Sequence, residues 1–294
     1  MDLLNVLKQL PRRLDLKRRW YRFSRSPLSI MGLIIAVGSI AIALSAPFIA
    51  PDPKSAGMYV NLDARLQPPS WSHFFGTDDL GRDIFSRTLF GFQYSLVMAA
   101  VVIALVAPLG IVLGLVAGYY RGKWLDTVIM RIADIFIAVP PLVLALAVAS
   151  LLTPSAFNAM MAVSLMWWPW YTRLTYSTSS ALRNEYFVQA AEVMGASPGH
   201  IMFSEILPNC LGPILTKLTL DVGWVILLGS ALSFVGLGAQ DPTADLGTMV
   251  SKGAQYMPQY WWLTIFPALA IVFIILGFNL LGDGIRDMFT EESR

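Results

Sequence analysis

The densest run of groups able to do chemistry is Gly76-Thr77-Asp78-Asp79-Leu80-Gly81-Arg82-Asp83, followed closely by Arg87. Three carboxylates within so short a stretch could hold a cation, but they lack the alternating ligand spacing of a calcium loop. The residue types suit another role better. Thr77 or Asp78 can cap a helix N-terminus, Gly81 permits close backbone approach, and Arg82 and Arg87 can pair with neighbouring acids. The expectation is a structural cap and docking surface, with no metal.

No other constellation points to catalysis. His73 and His200 stand singly, with no third ligand or nucleophile beside them in the sequence. Cys210 is the only cysteine, which excludes an intrachain disulfide framework and a CxxC metal pair. No GxxxxGK[ST] phosphate loop is present, so the chain does not itself hydrolyse ATP.

Four charged residues fall inside strongly apolar sequence, where an ionisable group is costly and invites a functional hypothesis. Arg131 and Asp134 sit at i and i+3, and Lys217 and Asp221 at i and i+4, so each pair can satisfy itself on one helix face. Mutual pairing is the expected arrangement, with a direct role in solute passage as the alternative. An ion-coupled carrier would instead show unpaired acids or interrupted helices in two matching halves.

The elements that position these residues follow from composition. Of 294 residues, 56% are hydrophobic and 14% charged, which places most of the chain in a bilayer. Windows of about 20 mostly apolar residues, enough to cross the hydrocarbon as a helix, give six candidate spans: residues 28–50, 94–120, 125–152, 157–177, 211–237 and 261–281. Eight of the 21 Lys and Arg residues (Lys8, Arg12, Arg13, Lys17, Arg18, Arg19, Arg22 and Arg25) precede the first span and argue for a cytoplasmic N-terminus. With Trp20, Tyr21 and Phe23 interleaved, this segment reads as a membrane-surface anchor and not as a nucleic-acid site. It is too long for a signal peptide, as is the apolar run behind it, so the first span is expected to remain uncleaved despite the small residues at Ala43-Leu44-Ser45-Ala46.

Six crossings return the C-terminus to the cytoplasm and put residues 51–87 and 239–258 outside. Acids outnumber bases there, while Arg121-Gly122-Lys123 falls inside, as the positive-inside rule prefers. Tyr119, Tyr120 and Trp124, and Tyr256, Tyr260, Trp261 and Trp262, lie where interfacial aromatic belts should be. Small or bending residues (Pro108, Gly110, Gly114, Gly118, Pro140, Pro141, Gly229) would let helices approach closely.

Between the fourth and fifth spans lies a soluble-looking segment, Glu185 to Pro208. Glu185, Gln189 and Glu192 share one side of a short helix, with Phe187, Ala190, Ala191 and Met194 on the other. Gly195 supplies a left-handed C-cap. Ser197-Pro198 starts a second short helix expected to stop at Pro208. A helix of about ten residues is marginal in water, so its apolar side must be covered, either by the bundle or by a soluble protein.

This segment resembles the coupling-helix signature of ABC-importer permeases, an EAA triplet, three residues, a Gly, nine residues, then Ile-x-Leu-Pro. Gln189-Ala190-Ala191, Gly195 and Leu207-Pro208 fit that spacing, whereas Gln189 replaces the acid and Glu205 stands at the Ile position. The run from Phe75 to Arg87 is similar to the GTDxxGRD signature of the second permease subunit of dipeptide, oligopeptide and nickel importers. Met130-Arg131 with Asp134 and Pro140, Leu207-Pro208-Asn209-Cys210, and Asn279-Leu280-Leu281-Gly282-Asp283-Gly284 extend the likeness over nearly the whole chain.

The resemblance implies an all-helical, six-span type I importer permease (MetI-like) of the cytoplasmic membrane, both termini inside. Its parts would be a basic N-terminus (1–27), a first span (28–50), an extracytoplasmic loop (51–91), a five-helix core (92–284) containing the coupling segment 185–208, and a tail (285–294). It further implies a homologous second permease, two ATPase subunits and an extracytoplasmic solute-binding protein as partners. ATP and Mg would bind those ATPases, and this chain would carry no cofactor. In the family the acid of the triplet is thought to contact the ATPase, and the Glu192 carboxylate is a candidate substitute for it here. The expected cargo is di- or oligopeptides, with nickel or another small solute as the alternative within the class, and a self-contained carrier or a membrane scaffold as rivals outside it.

Overall fold

The computed structural model describes residues 19–289 of the chain. Most of the basic N-terminal cluster and the last residues of the tail lie outside that range. Among the described residues the chain is helical, with one isolated bridge between Thr77 and Asp83.

The first long helix, α1 (Pro27–Ile49), starts where Ser26 accepts a hydrogen bond from the Ser29 amide and Pro27 takes the first helical position. An irregular segment with two short 3₁₀ turns, Pro53–Ala56 and Leu62–Ala64, leads to α2 (Ile84–Tyr119). Asp83 caps α2 by accepting from the Ser86 amide at 2.7 Å, so this helix begins ten residues before the sequence-based span at 94. Its first turns belong to the loop region assigned to 51–91.

The third span is broken. Helices α3 (Trp124–Ile137) and α4 (Pro141–Ser150) meet at 84°. Pro140 and Pro141 are the cause: neither has an amide hydrogen to continue the ladder, and Pro141 drives Pro140 to an extended ψ of 130°. After α5 (Ala156–Leu182) comes the short α6 (Tyr186–Val193), then α7 (Pro198–Phe234), the short α8 (Leu246–Ala254) and α9 (Trp262–Phe289).

Four of these helices, α1, α2, α7 and α9, are long and apolar enough to cross a bilayer, and the bent α3–α4 pair can make a fifth crossing. The remaining expected span, the fourth at 157–177, lies within α5, whose 27 residues suffice in length. Its apolarity is diluted because Ser164, Thr172, Thr175, Ser179 and Ser180 are all turned into the bundle and buried, a place where polar side chains of membrane helices are tolerated.

Packing centres on the crossing of α2 and α5. A Cβ on Gly110 would stand 2.5 Å from the Trp168 carbonyl oxygen, so only glycine admits this approach. Val102, Val106, Val163, Tyr171, Ile226, Leu232 and Ile274 fill the common core, while Ile34, Val37, Leu44 and Phe48 of α1 remain exposed, as a lipid-facing surface requires. The five longest helices all carry interior prolines: Pro47 in α1, Pro108 in α2, Pro169 in α5, Pro208 and Pro213 in α7, and Pro267 in α9.

Candidate functional site: a charge cap and a docking hairpin at opposite ends

Helix α2 joins two dissimilar sites. At its N-terminal end the Gly76–Arg87 run folds into a closed charge cluster. Gly76 and Gly81 both take left-handed φ, +76° and +75°, and a Cβ on Gly81 would run into the Asn61 carbonyl oxygen, so that strand of loop passes as close as glycine allows.

Thr77 does not cap a helix. Its hydroxyl instead donates to the Ala64 carbonyl and accepts from the Gln67 amide at 2.8 Å, pinning the preceding loop. Nor does Asp78 cap one: its Oδ1 accepts from the amides of Leu80 and Arg82, both at 2.9 Å, and its Oδ2 accepts from Arg82 Nε at 2.7 Å. The cap is Asp83, whose own amide donates to the Ser55 hydroxyl oxygen at 2.9 Å and whose carboxylate faces His73 Nδ1 at 3.0 Å. A bend in the loop puts the acceptor six residues beyond the expected one.

The two arginines bridge to the far end of the sequence. Arg82 Nη1 donates to Asp241 Oδ1 at 3.3 Å, Arg87 Nη1 donates to the Ser55 carbonyl at 2.9 Å, and Arg87 Nη2 lies 3.8 Å from Asp241. Lys252 closes on the other Asp241 oxygen, and Asp79 accepts from the Tyr256 hydroxyl at 3.5 Å. Both arginine side chains are almost fully buried, so these are desolvated pairs whose loss would strand a charge. Burial lowers the Lys252 pKa, aided by nearby Arg82. Burial also pushes the Asp245 carboxyl above the ordinary carboxylate value, against the amide hydrogen bond it accepts from Thr248 as N-cap of α8. Asp241, Asp245 and Lys252 were visible in the sequence only as a sparse loop.

At the other end of α2 sits the hairpin. Glu185 takes the N-cap position of α6 by backbone geometry, without a side-chain hydrogen bond. Gly195, at φ +82°, forms a Schellman ending: the Ala196 amide bonds the Ala191 carbonyl at 3.0 Å and the Gly195 amide bonds that of Glu192 at 2.9 Å. Ser197 then caps the next helix through the His200 amide.

The bundle covers only part of the apolar side of α6. Val188 and Ala191 are buried against Leu115, Ile201, Met202, Ile206 and Cys210, whereas Phe187, Ala190 and Met194 are exposed. Helical phase explains it: Val188 and Ala191 sit three apart and Glu192 is drawn toward the bundle. Arg183 grips the Glu192 carboxylate with both nitrogens, at 2.6 and 3.2 Å, Tyr119 donates to it at 3.2 Å, and the guanidinium lies over the Tyr119 ring. Glu192 is therefore paired within the chain while its side chain stays partly exposed. Gln189 Nε2 donates to the Asn184 carbonyl at 2.9 Å. Tyr186, Val193 and Met194, each at least 80% exposed, make an apolar underside.

The second helix of the hairpin does not stop at Pro208. It runs on as the 37-residue α7, through a π-helical stretch at Ile201–Ile206 that is closed by the Leu207 amide on the Met202 carbonyl. Pro208 brings no amide hydrogen, and Asn209 compensates locally by donating its side-chain amide to the Glu205 carbonyl at 2.7 Å. Glu205 itself faces His200 at 3.7 Å.

Of the intramembrane charges, Lys217 Nζ lies 3.1 Å from Asp221 Oδ1. Arg131 and Asp134 do not pair: Asp134 binds Arg173 of α5, and Arg131 stays exposed on α3. The i, i+3 reading weighed one helix alone and missed that a neighbouring helix offers a better donor. Among the described residues no group of three His, Cys, Asp or Glu could hold a metal.

Buried polar stripes, close helix crossings and a broken span around an apolar core define a multi-pass membrane protein. A family model described as the binding-protein-dependent transport system inner membrane component matches residues 110–292, and one described as the N-terminal TM domain of oligopeptide transport permease C matches residues 16–69. The chain belongs to the family of binding-protein-dependent transport system inner membrane components, and is a transport protein of the inner membrane.

Among its relatives, the probable D,D-dipeptide transport system permease protein DdpC of Escherichia coli (strain K12) is 43% identical, over 91% of this chain and 89% of its own. The dipeptide transport system permease protein DppC of Alkalihalophilus pseudofirmus is 42% identical over 90% and 86%. The glutathione transport system permease protein GsiD of Escherichia coli O6:K15:H31 is 39% identical over 91% and 88%. A solved structure of the MetNI methionine ABC transporter in inward facing conformations aligns at a TM-score of 0.58 with 18% identity, covering 70% of this chain and 98% of that one. That likeness concerns the fold.

Proposed function

We propose that this chain is one of two transmembrane subunits of an ATP-driven importer of di- or oligopeptides. The observation that carries this is the hairpin: a rigid Schellman turn presents exposed Tyr186, Val193 and Met194 on a helix whose other side is already packed. An apolar helical face held out at one end of a membrane bundle fits a groove on a soluble protein, here an ATPase subunit, placed on the cytoplasmic side with both termini. The charge cap then lies outside and offers its loop to a solute-binding protein, six crossings complete the topology, and a homologous permease covers the exposed α3.

Peptide cargo follows from relatives that carry dipeptides, D,D-dipeptides and glutathione by name. ATP and Mg belong to the partner ATPases. Mechanistically, nucleotide-driven closure of the ATPases pulls on α6, and α7 transmits that pull into the bundle because hairpin and span are one helix. The state favoured with ATP must differ in its cargo contacts for the cycle to have direction.

Reconstitution tests this. The chain alone in proteoliposomes should move no peptide, and the full set of partners should give ATP-dependent uptake of Ala-Ala. Uptake driven by an ion gradient alone, without ATPases, would replace this reading with a carrier.

A further inference from the structure

A polar cavity of about 620 Å³ opens where the end of α2, the turn into α3, the end of α5 and the hairpin meet, within the range of about 300–1,000 Å³ typical of small-molecule sites. Its lining holds three cations, Arg121, Lys123 and Arg183, and one carboxylate, Glu192. Arg183 and Glu192 are spent on each other at 2.6 and 3.2 Å. Lys123 Nζ lies 5.2 Å from the centre of the neutral Tyr120 ring, and Arg121 reaches the Tyr176 hydroxyl. Asp126, the acid of this turn, accepts from the Gly122 amide at 2.8 Å, and among the described residues neither Arg121 nor Lys123 has an ion-pair partner. Both side chains are exposed, so two positive charges look into one shared space with no anion of the chain to meet them.

An apolar track leads into that space. Leu105, Leu109 and Val112 are exposed at four- and three-residue spacing along α2, and the same helix face continues through Val116 to Tyr119 and Tyr120 in the cavity wall. From Leu109 to Tyr119 is ~15 Å at ~1.5 Å per residue, half of a hydrocarbon core of ~30 Å. The two tyrosines therefore stand at headgroup depth, where amphipathic rings collect. A soluble anion would use the polar part of this arrangement alone. A molecule with a charged head and apolar tails uses both parts, and basic pockets between membrane helices suit such heads.

We propose that this cavity holds the headgroup of an anionic phospholipid, whose phosphate oxygens accept from Arg121 and Lys123 while its acyl chains lie along the Leu105, Leu109 and Val112 face of α2. Arg121 offers a planar fork of donors and Lys123 a compact ammonium. Arg183 adds positive potential from behind Glu192. The bound phosphate joins the α2–α3 turn to the hairpin beside the contacts that Tyr119 and Arg183 already make to Glu192, so the lipid braces the base of the hairpin. The inference needs the membrane placement of the chain and is independent of its cargo.

The test uses the complete complex in phosphatidylcholine nanodiscs doped with a photoreactive phosphatidylglycerol, or with a phosphatidylcholine carrying the same photoreactive group near its glycerol backbone. Expected is labelling by the phosphatidylglycerol probe that saturates with its mole fraction and maps to the end of α2 and the turn after it. The phosphatidylcholine probe should label there at least tenfold less, and Arg121→Gln combined with Lys123→Gln should lower phosphatidylglycerol labelling at least tenfold. Lys54→Gln combined with Arg65→Gln, two exposed cations in the loop before α2, should change it less than twofold. The comparison of the two lipids needs no variant, so a folding failure in either double variant leaves it decisive. Equal labelling by both lipids would overturn the proposal, as would an unaffected Arg121→Gln, Lys123→Gln variant. So would loss of labelling in excess inorganic phosphate, the result if a free anion filled the cavity, and absence of labelling, the result if an ATPase subunit covered it.

Discussion

The two ends of α2 handle their exposed chemistry in opposite ways. At the charge cap, Arg82 and Arg87 are buried and turned on acids of the same chain, Asp78 and Asp241, the latter more than 150 residues away. At the hairpin, one ion pair, Arg183 with Glu192, stays partly exposed and the apolar side chains beside it face outward. The cap is finished within the chain. The hairpin is stable enough to hold its shape and is unfinished on one side, which is the arrangement expected of an element that meets a partner.

Substitutions at the two ends should therefore separate stability from coupling. The largest effect is expected for Arg82→Met, which strands Asp78 and weakens the hold on Asp241; removing one member of a buried pair costs about 3–5 kcal/mol. Denaturant titration of the purified permease should show that loss. A shift below about 1 kcal/mol would mean that the cap is solvated and exchangeable.

Gly195→Val comes next. Nothing lies within 4 Å of a Cβ there, so the cost, about 1 kcal/mol or more, is that of a β-branched residue at φ +82°. The expected outcome is ATP hydrolysis without transport in the assembled complex, and wild-type coupling would remove the turn from the mechanism.

Val193→Glu should leave the fold within about 0.5 kcal/mol, since the side chain is 90% exposed, while ATPase subunits no longer copurify. A stable variant that still captures them would move the docking face elsewhere on the hairpin.

The smallest effect concerns Asp245. Its carboxyl is raised by burial, so the folded state holds the proton better than the unfolded chain does. Stability from this group is present below the ordinary value of 3.8 and declines as pH rises from there through the raised folded value. Asp245→Asn keeps an acceptor for the Thr248 amide and should flatten that decline, read as the pH dependence of the unfolding midpoint.

Much of this was legible in the residues. Apolar windows located the long helices, and the Gly195 and Ser197 punctuation located the hairpin turn, because both are local. Phase and partners were harder. Counting polar positions along Glu185–Met194 set Phe187, Ala190, Ala191 and Met194 on one apolar side and left open what covers it; the bundle takes Val188 and Ala191, which fit against Leu115, and leaves Phe187 and Met194 exposed. Arg131 and Asp134 look paired until α5 brings Arg173 alongside. The cap motif announced itself, yet its distant acceptor, Asp241, sits in a loop that no spacing rule connects to it. Lys217 and Asp221, by contrast, pair as one helix alone predicts.

The interior prolines have a mechanical consequence. A proline leaves one rung out of a helix ladder, so every one of the five longest helices has at least one place, and α7 two, where flexing breaks no hydrogen bond. A bundle of such rods changes shape by hinging at a few fixed points while the segments between them stay stiff. Movement imposed on the hairpin is thereby divided into a few repeatable bends, and the lining of any central passage shifts as blocks with defined ends.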